Sequence, residues 1–319
     1  MHLVLKQESG CRKHFRLACN MALEDIDYVE QKLQWMEEQA IWPNGLRYLW
    51  TDAFGVVLYI SLYNKTNNSA YLDKAEFLIK EVYRVLGRKK GLRIGEESDR
   101  DGQYFHYLAM WIFALTCIGE IKPGYKDEAV NLVKQIHSRF VIPGRGVIWK
   151  MEEDLSGAYP GYGLGAMDAF DGYVAYKLLN QDALAEEIDE MYQLMQGYES
   201  LIIDQDLGLG MMLWLCHFYP DEEWASYQSK LGLHILDRLW IDPPGYFCRQ
   251  TSWYEMKFSF TNYGISLGLQ AWDQWLDRVD KLNKFFDKYK SGDEYDTNSI
   301  THVMSCTSHF PGLFLKQQK

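Results

Sequence analysis

The sequence predicts an all-α fold, a closed (α/α)6 barrel in which six helical hairpins form a toroid. Three observations carry that expectation: two kinds of helical segment alternate along the chain, no linker divides it, and its connections are short in one direction and long in the other.

Residues 71–86 show the first kind of segment, with Leu72, Ala75, Leu78, Ile79, Val82 and Leu86 on one stripe and charges on the opposite face. The same spacing marks 13–36, 126–140, 183–198, 222–240 and 272–289, which are expected to form an outer ring. Segments of the second kind, 52–63, 103–118, 165–179, 207–218, 260–271 and 299–314, are apolar nearly all round and rich in small residues. A helix without a polar face has to be enclosed by protein, so these are expected to form the inner ring. The alternation is strict, as a repeat of paired helices requires.

Connection lengths give the ring a direction. Links from inner to outer segments are short, at 64–69, 119–125, 180–182 and 219–221, with almost none around Trp272. Links from outer to inner are long, at 37–50, 87–102, 141–164, 199–206, 241–259 and 290–298. Long loops inside a compact domain are usually functional. All of them fall on the rim where the inner segments begin, so that rim is where chemistry is expected.

This pattern resembles the six-hairpin (α/α)6-barrel superfamily that includes glycoside hydrolases, unsaturated-uronide hydrolases and sugar 2-epimerases. The resemblance covers the whole chain as architecture. It implies carbohydrate chemistry in a central cleft, with a sugar or sugar acid as the small-molecule partner.

Composition narrows the alternatives. Pro and Gly lie in scattered short turns, and there is no charge block or Ser-rich tract, so a single domain over 1–319 is expected. The net charge of −11 leaves no basic surplus to replace the counterions of a nucleic acid. Residues 1–16 carry Lys6, Glu8, Arg12, Lys13 and His14 and lack the apolar core of a secretory signal. The longest apolar-rich stretch, 104–118, contains His106 and falls short of the roughly 18 to 20 residues a membrane span needs. A soluble, cytoplasmic protein without a membrane partner is therefore expected. Cys11, Cys19, Cys117, Cys216, Cys248 and Cys306 are widely spaced with no CxxC, and are expected as reduced thiols, most of them buried.

Several rim residues could carry chemistry. Trp50 and Asp52 open the first inner segment, offering an aromatic face for a sugar ring and a carboxylate as acid, base or hydroxyl acceptor; the structural alternative is that Asp52 only favours the helix N-terminus. The densest polar cluster, 96–106, runs into the second inner segment. There Asp101 stands where a cap would, Arg100 could hold a carboxylate or phosphate, and His106 lies one turn in beside Tyr104; the alternative is a capped helix with a satisfied core histidine. On the third inner segment Asp168 and Asp171 are two carboxylates on an otherwise apolar helix, either a catalytic acid with a raised pKa or a structural network. Asp168, nearer the rim, is the functional candidate. Trp253 and Tyr254 in the fifth long loop, with Asn262 just inside the next helix, mix aromatic faces and polar groups as a ligand-contacting loop would; a loop packed over the ring would look the same. His302, on the last inner segment, lies at the same depth as His106.

No spacing suits a resident metal or a phosphate-binding loop, and no cofactor is expected. Nor is any β-strand.

The leading expectation is a glycosidase-like hydrolase with acid and base drawn from Asp52, Asp101 and Asp168, positioned by Arg100 and His106. The substrate would lie between Trp50, Tyr104, Trp253 and Tyr254. The alternatives are a sugar isomerase or epimerase using His106 and His302, a cyclase or lyase acting on an apolar metabolite, and a non-catalytic helical scaffold.

Overall fold

The computed structural model describes residues 25–198, 201–249 and 256–315. Its helices pair as the sequence pattern requires. The outer members are α1 (residues 25–38), α3 (Ser69–Leu86), α5 (Gly124–Phe140), α7 (Ala185–Gln196), α9 (Glu223–Leu239) and α11 (Leu276–Phe286). The inner members are α2 (Leu49–Thr66), α4 (Phe105–Gly119), α6 (Asp168–Leu179), α8 (Asp206–Cys216), α10 (Ser259–Ala271) and α12 (Ser299–His309). Each inner helix packs on its inner neighbours and α12 returns to α2, so the ring closes as an (α/α)6 barrel.

The two helix types differ in burial as their composition demands. Every residue of α2 from Leu49 to Leu62 is buried, whereas α3 buries only Ala75, Leu78, Ile79, Val82 and Leu86. The link between them is two residues long because Asn67, at φ +55°, ends one helix while the Asn68 side chain caps the next, accepting from Ala70 N at 3.1 Å. Where the sequence suggests almost no link around Trp272, the chain turns through 272–275, with Asp273 and Trp275 both in the left-handed region. The last inner helix is shorter than 299–314, because Pro311 and Gly312 break it.

That break seals one end of the ring. Gly312–Phe314 forms a 3₁₀ turn that places Phe314 against Phe54, Phe113 and Trp214, at centroid distances of 4.8, 5.9 and 6.1 Å. Trp214 Nε1 donates to the Phe314 carbonyl at 2.8 Å. Gly312, at φ +51°, is required there, since a Cβ would lie 2.3 Å from Ser61 Cβ.

Contrary to the sequence expectation, the long loops contain strands. β1 (Gln103–Tyr104) pairs with β4 (Lys150–Met151); β2 (Val141–Ile142), β3 (Gly146–Ile148) and β5 (Leu164–Gly165) form a three-stranded sheet; and β6 (Trp240–Ile241) pairs with β7 (Tyr246–Phe247). Ladders of two or three residues are too short to show the alternation by which strands are recognised. They tie the rim loops to one another and to the start of α4.

Packing around the ring is uneven. α8 and α10 approach to backbone contact, because a Cβ on Gly210 would lie 2.5 Å from the Gly264 carbonyl oxygen and one on Gly268 would lie 2.3 Å from that of Gly210. The joint between α6 and α8 is the loosest between neighbouring inner helices, and a cavity opens there. Cys117, Cys216 and Cys306 are buried free thiols and Cys248 is buried, while Cys11 and Cys19 fall outside the described residues. Among the described residues no helix is long and apolar enough to cross a membrane.

Candidate active site

The cavity, about 420 Å³, lies at the start of α4, α6 and α8, on the rim that carries the long loops. Because all inner helices begin at this rim, their first turns furnish its upper wall. α4 contributes His106, α6 contributes Asp168 and Asp171, and the residues leading into α8 contribute Asp204 and Gln205. Trp50 of α2 and Trp149 from the loop between β3 and β4 complete this level.

His106 and Asp168 form its polar centre. His106 Nδ1 lies 3.9 Å from Asp168 Oδ1, with 26% of the histidine side chain and 5% of the aspartate side chain accessible. Burial pushes the His106 imidazole down to about 3, so the ring is neutral at physiological pH. Burial, reinforced by the neighbouring Asp171 carboxyl, holds Asp168 well above the usual carboxylate range. Asp171, one helical turn further in, is pushed up to about 8, again by burial. Asp168 Oδ1 is buried and has no hydrogen-bond partner among the described residues. A neutral imidazole thus stands beside a carboxyl group that burial biases towards its protonated form, an arrangement suited to accept a proton at one and donate it at the other.

Two devices hold this pair. Gly165 of β5 leaves space for the carboxyl, since a Cβ there would lie 1.7 Å from Asp168 Oδ2. Behind His106 stands an aromatic wall, with ring centroids of Tyr107 at 4.6 Å, Tyr104 at 5.2 Å and Trp50 at 6.0 Å. Trp149 stacks on Tyr104 at 5.7 Å and reaches over the cavity mouth.

Among the candidates from the sequence, Trp50, His106 and Asp168 meet in this cavity, with Tyr104 directly behind. Asp52, Asp101, Arg100, Asn262 and His302 do not line it. Asp52 is fully buried, accepting from Trp42 Nε1 at 2.9 Å and from Arg47 Nη1 at 3.2 Å. It anchors the loop before α2, and burial, partly offset by Arg47, pushes it up to about 6. Asp101 is not a helix cap, because α4 begins at Phe105. It accepts from Tyr159 at 2.7 Å and from Lys150 at 3.2 Å, and these bonds pull its carboxyl below the ordinary value. Arg100 lies over the Tyr48 ring, 4.9 Å from its centroid, and pairs with Glu97 at 3.5 Å. Asn262 accepts from Phe247 N at 2.8 Å, fastening β7 to α10. His302 packs edge-on against Trp35 at 4.8 Å and its Nε2 lies 2.9 Å from the Asp296 carbonyl, in a separate small pocket with Lys32 and Asp287. The His106 and His302 pairing therefore does not form, and neither do Asp52, Asp101 and Asp168 come together. Trp253 and Tyr254 lie outside the described residues.

Two rim residues absent from the sequence-based candidates organise the approach. Lys150 is 4% exposed, with its ammonium 3.7 Å from the Tyr159 centroid and 5.0 Å from that of Tyr162. Gln103 is fully buried; it donates to the carbonyls of Lys90 at 2.9 Å and Glu153 at 2.7 Å and accepts from Leu92 N at 2.9 Å. Together they bind the loops 87–104 and 149–162 into one collar. A buried Lys next to three tyrosines and a Gln at a helix entrance were the available signals. Among the described residues no three His, Cys, Asp or Glu side chains are grouped so as to hold a metal ion.

No family model matches this chain, and no curated protein matches it in sequence. Solved structures do match in fold. A D-mannose isomerase structure aligns with a TM-score of 0.59 at 13% identity, covering 85% of this chain and 88% of its own. The cellobiose 2-epimerase of Bacillus thermoamylovorans aligns at 0.57 with 10% identity, covering 82% and 87%. That of Spirochaeta thermophila aligns at 0.54 with 13% identity, covering 84% and 86%. These likenesses establish the (α/α)6-barrel architecture over most of the chain.

Proposed function

We propose that the chain is a carbohydrate isomerase that moves a proton between the carbonyl carbon of an open-chain sugar and the carbon next to it, with His106 as base and Asp168 as acid. One observation carries this reading: the His106 imidazole lies 3.9 Å from the Asp168 carboxyl inside the cavity, and burial favours the neutral form of each. The solved structures of like fold, titled as sugar epimerases and a mannose isomerase, support the same class of chemistry.

Proton balance follows from the two protonation states. His106 takes the proton from the carbon next to the carbonyl as Asp168 gives its own to the carbonyl oxygen, yielding a neutral enediol. The pair is left as imidazolium and carboxylate, whose attraction at 3.9 Å is about 4 kcal/mol at an effective dielectric of 20. That attraction offsets the weak basicity of a buried imidazole. Return of the proton from the imidazolium to the former carbonyl carbon, with the carboxylate recovering one from the hydroxyl of the adjacent carbon, leaves the carbonyl on that adjacent carbon and gives the isomer. A single base on one face suits transfer between adjacent carbons, whereas inversion through opposite-face bases would need a second group. Glycoside hydrolysis requires an ionised carboxylate across the bond from an acid, and Asp168 and Asp171 are neighbours on one helix face, both with raised pKa.

The test is to incubate the full chain with D-mannose, D-glucose and cellobiose in D₂O and follow the sugars by ¹H NMR. Conversion to the ketose or loss of the C2 proton signal is expected with at least one. Absence of both with all three would overturn the assignment.

A further inference from the structure

The cavity is polar only in its upper wall. His106, Asp168 and Asp171 sit in the first turns of their helices, and Asp204 and Gln205 precede α8. Below them the lining is Met110 and Phe113 of α4, Val174 and Leu178 of α6, and Met211 and Leu215 of α8. From His106 to Phe113, or from Asp168 to Leu178, the rise of an α-helix gives a depth of about 10 to 15 Å. Trp214 also lines this depth, but its indole nitrogen is bonded to the Phe314 carbonyl. Trp50 Nε1 is similarly directed at Met304 Sδ, 3.5 Å away. Among the described residues, no side chain in the lower wall has a free hydrogen-bonding group.

A fully hydroxylated sugar cannot be satisfied at that depth, because each hydroxyl carried below the first turn would lose its water without gaining a partner. A sugar ring fits only at the upper wall, beside His106 and Asp168. The mouth extends the apolar character outwards, with Trp149, Leu164 and Ile202 at 41, 42 and 69% exposure, all bordering the cavity. The joint between α6 and α8, loose where α8 and α10 touch, gives the lower space its width.

We infer that the ligand is amphiphilic, a sugar-like polar head held by His106 and Asp168 joined to an alkyl, prenyl or aryl group that fills the shaft lined by Phe113, Val174 and Met211. For the identity of the head the inference rests on the isomerase reading; occupation of the shaft does not depend on turnover. It goes beyond that reading by assigning the apolar half of the cavity to substrate.

The experiment compares binding of n-octyl and methyl β-D-glucopyranoside to the full chain by isothermal titration calorimetry, below the micelle concentration of the octyl compound. The octyl glycoside is expected to bind at least roughly a hundredfold more tightly, as burial of its added methylenes predicts. A second measurement uses Val174→Phe, which places a ring in the shaft about one and a half turns below Asp168; the octyl advantage should fall at least about tenfold, with methyl glycoside binding unchanged. Equal affinity for the two glycosides, or no binding of either, would overturn the inference, as would an undiminished octyl advantage in a folded Val174→Phe chain. Loss of the isomerase reading leaves a different trace: octyl binding persists while no sugar exchanges its C2 proton.

Discussion

His106 Nδ1 and Asp168 Oδ1 stand 3.9 Å apart although they belong to different hairpins, each in the first turn of its inner helix. Burial acts on the two in opposite directions, lowering the imidazole and raising the carboxyl, so that it favours the neutral form of each. Two groups poised in this way exchange roles when one proton is taken and another given. The chemical consequences of altering the pair follow.

Asp168→Asn keeps the shape and removes the acid proton. Turnover in the sugar exchange assay is expected to fall about 100-fold or more, the usual scale for losing a positioned acid. Sugar binding measured by calorimetry should change by less than about tenfold, because the amide still donates a hydrogen bond at that place.

Gly165→Ala tests the space behind the acid. A Cβ 1.7 Å from Asp168 Oδ2 forces the carboxyl out of its seat. The expected cost is about 1 to 3 kcal/mol in urea unfolding, the range for overpacking a filled site. Turnover should fall with it even at temperatures where the variant is fully folded.

The pH dependence of stability should show Asp171. Its folded value, about 8, is above the ordinary 3.8, so the folded state retains a proton the unfolded chain has lost. The stabilisation is complete below pH 3.8 and is lost as pH rises through 8. Asp171→Asn removes this dependence. The variant's melting temperature, relative to that of the parent, should therefore rise steadily between pH 4 and 8, by the equivalent of up to about 1 kcal/mol per pH unit. His106 contributes the opposite slope, its penalty appearing as pH falls from 6.5 towards 3, and cancels in the difference.

Arg47→Met addresses Asp52, which the structure assigns to anchoring the loop before α2. The change leaves a fully buried carboxyl with Trp42 as its remaining side-chain donor. A loss of about 3 kcal/mol in denaturant unfolding is expected. The rate constant for turnover of the folded fraction should be unaltered.

The architecture was legible because it rests on composition: a helix apolar all round, such as α2, has to be inside, and a stripe such as that of α3 has to face in. Loop lengths likewise revealed which rim carries the site. His106 and Asp168 stood out as polar residues in the first turns of apolar helices at that rim. Depth along a helix can be counted, but azimuth cannot. A helix that is apolar on every side gives no sign of which side faces the cavity, and so His302, at the depth of His106, turns towards Trp35 and away from it. Asp52 shares its depth with the site too, but its partners Trp42 and Arg47 come from the preceding loop, whose path no periodicity encodes. The seat of Phe314 in the floor and the knot around Gln103 depend on contacts between segments far apart in sequence. The apolar lower wall is written in the sequence as Met110, Phe113, Val174, Leu178 and Met211. It becomes distinguishable from core only when the space they border is seen.

Solvent-deuterium incorporation at sugar C2 is the most direct measurement of whether this cavity performs the chemistry, made on the parent chain, His106→Gln and Asp101→Asn side by side. Asp101 belongs to the outer collar, so its variant is predicted to exchange at the parent rate, while His106→Gln is predicted to lose about 100-fold or more and still bind the sugar. Exchange by His106→Gln within about tenfold of the parent, below the usual contribution of a positioned base, would contradict the assignment of His106 as the base.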